Sequence, residues 1–168
     1  MKRPNRFSDE VDIEVAKKLL PKVTSWLNEN GDHDNDHEEV LRDIARAVNL
    51  GHDGYSIARD LDRSGWCPDA NLVGILDDVD IHRRAITEKM EEAWVAENKL
   101  TGPTEGTTVS WPKSPGHLSG LSGQVQRNTL CGRSYVSFTT KATTKAPVVY
   151  IVPWEDLNLV ENHENVPA

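Results

Sequence analysis

From Gly106 to Trp154 the chain contains no Asp or Glu, yet it holds five basic residues: Lys113, Arg127, Arg133, Lys141 and Lys145. The same stretch is built of short β-branched and aromatic runs separated by Gly, Pro and Ser, the signature of strands joined by turns. The residues before it have the opposite character. The first hundred carry 22 Asp and Glu against 14 Lys and Arg, which is the whole of the net charge of −8; the remaining 68 carry five of each. Such a partition requires two differently built parts, an acidic one and a small cationic one.

The acidic part reads as helices. Ser8 is an N-cap, with Asp9, Glu10 and Asp12 where the helix dipole favours acids, and Val11, Val15, Leu19 and Leu20 recur at helical spacing. Pro21 is expected to break or kink this helix, with a second short turn through Val23, Trp26 and Leu27 ending at Asn30-Gly31. Asp36 reads as the cap of the next helix, with Glu39 three residues on as in a capping box, and Val40, Leu41, Ile44, Ala45 and Val48 form its apolar face. Asp53 caps a third helix that Gly65 ends. In Trp66-Cys67-Pro68-Asp69 the proline sits in the first turn of a fourth, with Asp69 at the positive dipole end. Ile81 to Trp94 make the stripe of the longest helix.

Thr101-Gly102-Pro103 is the boundary: residues 1–101 are expected to form an acidic helical domain and 104–162 a β domain, with 163–168 a frayed tail. Strands are expected at Thr107–Trp111, Leu121–Asn128 (with Gly123 at a bulge or bend), Arg133–Thr139, Val148–Val152 and Asn158–Val160. A single helical turn, Pro153–Leu157, precedes the last strand. Five short strands, a long first loop and that turn resemble the SH3-like small barrels, among them KOW and Tudor-type folds. The residues that carry the resemblance are Thr107-Thr108-Val109, Gly120–Val125, Arg133–Phe138, Val148–Val152 and Trp154–Val160. The expected fold is therefore α+β: an N-terminal acidic helical bundle followed by a C-terminal five-stranded SH3-like barrel. Barrels of this class bind peptides, nucleic acids or other subunits, so the resemblance implies binding rather than chemistry.

The motifs agree. Asp32, Asp34 and Asp36 match the first three spacings of a calcium loop, but His37 stands where that loop needs Gly, and the helix cap is the better reading. His33 and His37 flank a helix start and need not share a face. Cys67 and Cys131 match no local metal motif and read as two thiols of an intracellular chain. No metal, cofactor or catalytic residue is expected. No apolar run approaches the roughly 18 residues that cross a membrane, and the N-terminus lacks the apolar core of a signal peptide, so a cytoplasmic location, bacterial or host, is expected.

Two binding surfaces follow. The acidic helices offer Asp32, Asp34, Asp36, Glu38, Asp43, Asp60, Asp62, Asp77, Asp78 and Asp80 to a basic protein partner, such as a nucleic-acid-binding complex. The barrel offers Lys113, Arg127, Arg133, Lys141 and Lys145 to nucleic acid, with Trp111 or Tyr135 to stack a base. An aromatic cage for a methylated cation, from Trp111, Tyr135, Phe138, Tyr150 and Trp154, is a further use of the same barrel. A compact, acidic, cysteine-poor chain of this kind is similar to accessory proteins of phages and mobile elements. Some of these inhibit host defence systems by occupying nucleic-acid-binding sites. The leading expectation is thus a non-catalytic docking protein of that type; direct nucleic-acid binding and a structural subunit of a viral assembly are the alternatives.

Overall fold

The computed structural model describes residues 2–32, 36–51, 53–118, 120–139 and 147–160. The fold is α+β, with helices in the N-terminal part and a five-stranded antiparallel sheet in the C-terminal part. Contacts divide the chain into two compact units, 2–90 and 91–168, so the division falls inside the fifth helix, between Met90 and Glu91. Among the described residues no helix is long and apolar enough to cross a membrane.

The helical unit holds α1 (Asp9–Glu29), α2 (His37–Leu50), α3 (Gly54–Arg63), α4 (Ala70–Leu76) and most of α5 (Val79–Glu97). The starts of α1 to α4 are each fixed by a short polar side chain. Ser8 accepts from the Val11 N–H, Asp53 from Ser56 (2.7 Å) and Asp69 from Leu72 (2.9 Å). Asp36 caps α2 as expected but accepts from the Glu38 N–H (2.9 Å), one residue earlier than a capping box requires. Asp69 is itself the cap of α4, so Pro68 lies before the helix and not in its first turn.

Pro21 does not end α1, which runs unbroken for 21 residues. The reason is packing. Val11, Val15, Leu19, Val23, Trp26 and Leu27 continue one buried stripe on both sides of the proline, while Pro21 is on the exposed side. Burial of that stripe outweighs the lost backbone hydrogen bond. The stripe meets Val40, Ile44, Ala47 and Val48 of α2, Ile57 and Leu61 of α3, and Leu72 and Leu76 of α4 in one core. Arg83 of α5 enters this core, where it pairs with Asp12 at 3.0 Å and donates to the Val48 carbonyl at 2.8 Å.

In the second unit the strands are β1 (Thr108–Ser110), β2 (Ser122–Asn128), β3 (Arg133–Phe138), β4 (Val148–Pro153) and β5 (Asn158–Leu159). The 3-10 turn Trp154–Asp156 precedes β5, and β5 returns to pair with β1, giving the order β4-β3-β2-β1-β5. The sheet is not closed into a barrel: no ladder joins β4 to β5, and β5 is only two residues long. Alternation decides the faces. Ser134, Val136 and Phe138 are buried, and Arg133, Tyr135 and Ser137 point the other way. Val109, Leu118, Val125, Val136, Phe138 and Val152 form the core. The register shift in β2 lies between Val125 and Arg127, not at Gly123. Gly123 serves close packing instead, as a side chain there would run into Val136 and Phe138.

Candidate functional site: an acidic cleft beside two tryptophans

The helical unit contains a cleft of about 610 Å3 where the end of α1, the start of α2 and the α3–α4 loop converge. Trp26 is the last large residue of the buried α1 stripe. Trp66 lies in the loop that Ser64 and Gly65 begin. The two rings lie parallel, 3° apart in plane angle, with centroids separated by 6.5 Å.

Carboxylates fix both rings. The Trp26 indole N–H donates to Asp69 at 2.9 Å, and the Trp66 indole N–H donates to Asp43 at 3.0 Å. Asp69 therefore caps α4 and orients Trp26 at once. Its carboxyl is held below the ordinary value of 3.8, chiefly by the Leu72 N–H; desolvation opposes this and the Trp26 N–H adds to it. Asp43 lies between the Trp66 N–H and Arg46, which is 3.6 Å away and also donates to the Ser64 hydroxyl. Asp32, Asp36, Glu39 and Asp43 all line the cleft, and its described lining includes no Lys or Arg. Glu39 is exposed and forms no ion pair among the described residues. Cys67 is an exposed thiol on the rim.

The expected acidic set thus divides. Asp32, Asp36 and Asp43 meet at this cleft, and Glu38 is exposed on the first turn of α2. Asp34 lies outside the described residues. Asp77 accepts from the Gly54 N–H at the start of α3 (3.0 Å), Asp78 pairs with Lys22 (2.9 Å) and Asp80 with Arg6 (3.0 Å), so these three serve the fold of the unit itself. The Lys22 contact lowers the Asp78 carboxyl. Asp60 and Asp62 lie on α3, half-exposed and exposed, and neither lines the cleft. Trp26 and Trp66, the residues that give the site its shape, were missed as site residues. Trp26 was legible as the end of a helical stripe and Trp66 as a residue before a helix, but 40 positions separate them and no pattern announces their pairing.

Each described cationic residue of the sheet has a partner within its own unit. Lys113 pairs with Asp156 beside β5, which raises its ammonium above the ordinary range. Arg133 pairs with Glu91, a carboxylate almost wholly buried in the same unit. Arg127 lies over the Tyr135 ring, 3.9 Å from its centroid. Trp111 packs on the core side against Phe138 and Tyr150, with centroids 6.3 and 5.9 Å away. Trp111 and Tyr135 are therefore on different sides of the sheet, and Lys141 and Lys145 lie outside the described residues. The aromatic set likewise does not enclose a common space: Phe138 is fully buried, Tyr135 is on the opposite face, and Trp154 packs over Gly102.

No family model matches the chain, and neither a curated protein nor a solved structure was found to match it.

Proposed function

We propose that this protein is a docking protein whose helical unit captures a basic segment of a partner protein in the cleft beside Trp26 and Trp66. The observation that supports this reading is the lining, in which four carboxylates adjoin two parallel indoles and the described residues include no Lys or Arg. A Lys or Arg side chain entering the cleft meets carboxylate oxygens and aromatic surface together. A guanidinium over an indole gains about 0.5–2 kcal/mol, depending on how far it is desolvated. The exposed carboxylates add a long-range field that speeds encounter with a cationic partner and fades as salt rises. The site needs no reorganisation of its rings, because Asp43 and Asp69 already hold them.

The test is a titration of the full chain with an Arg-rich peptide, a Lys-rich peptide and an Asp/Glu-rich control, read by tryptophan fluorescence and calorimetry across a salt series. Basic peptides are expected to bind and to weaken with salt. Glu39→Lys is expected to weaken them at unchanged helical content. Equal binding of the acidic control, or indifference to Glu39→Lys, refutes the cleft. Binding to a single-stranded oligonucleotide that Arg127→Glu abolishes, with no peptide binding, replaces the reading with nucleic-acid recognition by the sheet.

A further inference from the structure

The outer edge of β4 is self-complementary. The Trp154 N–H donates to the Gly132 carbonyl at 3.0 Å, and Arg133 stands opposite Pro153 in the ladder. Residues of an antiparallel pair alternate between exchanging hydrogen bonds with the neighbour and turning those groups away. Val148, Tyr150 and Val152 therefore direct their backbone groups to β3, and Val149 and Ile151 direct theirs outward. β4 is the end of the sheet, and no strand pairs with its outer edge among the described residues. The flanking outward positions are Pro147 and Pro153, neither of which has an N–H. The edge thus offers two donors between two prolines, symmetric about Tyr150.

We infer that this edge pairs with the same edge of a second copy of the chain, antiparallel and centred on Tyr150. In that register Val149 of each copy faces Ile151 of the other. Each of the two pairs exchanges two backbone hydrogen bonds, so all four N–H donors meet carbonyls. The prolines face each other at both ends, where no donor is left over. A shift of two residues keeps four bonds but sets a proline against Val149 or Ile151 in place of a Val–Ile pair; a shift of one brings inward-turned groups to the edge. The side chains fit the same symmetry. Val149 and Ile151 are 50% and 51% exposed on the outer face, and pairing sets them against each other as two Val–Ile cross-strand contacts. An apolar, uncharged edge strand is one that natural sheets cover. A foreign peptide must happen to supply this spacing, whereas a second copy has it by construction.

The test is sedimentation equilibrium of the full chain over a concentration series, with Ile151→Lys and Val149→Glu. Both positions are half-exposed, so circular dichroism is expected to be unchanged. The wild type is expected to dimerise with concentration, and each variant alone to stay monomeric. An equimolar mixture of the two variants is expected to recover the dimer, because the introduced lysine of one copy faces the introduced glutamate of the other. In the wild type the Val149 and Ile151 amides are expected to exchange several-fold more slowly at high concentration than at low. A monomer at every concentration overturns the inference. So does a dimer that both variants retain, or a mixture that stays monomeric.

Discussion

Arg83 and Asp12 meet at 3.0 Å with 1% and 4% of their side chains exposed, an ion pair taken almost wholly out of water. The pair links α5 to α1, and the Val48 carbonyl that Arg83 also reaches adds α2. Desolvation of two charges costs several kcal/mol, which the attraction and the added hydrogen bonds offset only while both partners are present. Arg83→Met leaves Asp12 buried with Asn49 as a remaining donor, at 3.0 Å. The expected loss is about 3–5 kcal/mol of stability by urea unfolding. The double variant Asp12→Leu/Arg83→Met is expected to lose much less than the sum of the two single variants, since no unmatched charge remains.

Trp26 and Trp66 separate stability from recognition. Trp26 is 6% exposed and completes the α1 stripe, so Trp26→Ala opens a cavity in the core and is expected to cost about 3–5 kcal/mol. Trp66 is half-buried in a loop. Trp66→Leu keeps an apolar side chain there while removing the ring and its bond to Asp43. The expected result is a small change in unfolding midpoint and a marked loss of basic-peptide binding. Equal effects of both substitutions on binding and stability would show that the cleft acts only as core.

The acid limb of stability has a named contributor. The Asp69 carboxyl is depressed below 3.8 in the folded state, first by the Leu72 N–H. A carboxyl with a lowered folded pKa stabilises at pH above its unfolded value, and that contribution disappears as pH falls through the folded one. Asp69→Asn keeps an oxygen for the cap but does not titrate. Its unfolding midpoint is expected to depend less steeply on pH below 3.8 than that of the wild type, as thermal unfolding followed by circular dichroism can check.

Much of the layout was legible because local chemistry decides it. Ser8, Asp36 and Asp53 announced their helices through short polar side chains that backbone donors need. The alternation Tyr135-Val136-Ser137-Phe138 gave the two faces of β3, since the side-chain period of a strand is two. Pro21 misled because a local rule met a tertiary stripe that overrode it. The cleft was legible only in its charges. Asp36 and Asp43 stood out as acids, but the ring pair depends on how α1 meets a loop 40 residues away, and spacing carries no trace of that. The five basic residues stood out for the same reason, and the contacts that occupy Lys113 and Arg133 are tertiary too.

Gly123 tests the sheet from the inside. It lies on β2 opposite Phe138, and a β-carbon built there would stand 2.5 Å from a Val136 methyl and 2.8 Å from the Phe138 ring. Both neighbours are fully buried and belong to the core of the sheet, so neither can move without displacing others in a close-packed interior. Gly123→Ala is therefore expected to destabilise the sheet by about 1–3 kcal/mol, the usual cost of overpacking, although alanine is the better residue for an ordinary strand position on entropy alone. The companion variant Gly123→Ala/Phe138→Leu removes the ring edge that the new methyl meets. If crowding is the cause, this second change costs less in the Gly123→Ala background than in the wild type, where Phe138→Leu only opens space. Additive costs in urea unfolding would place the effect of Gly123 in its backbone rather than in its neighbours.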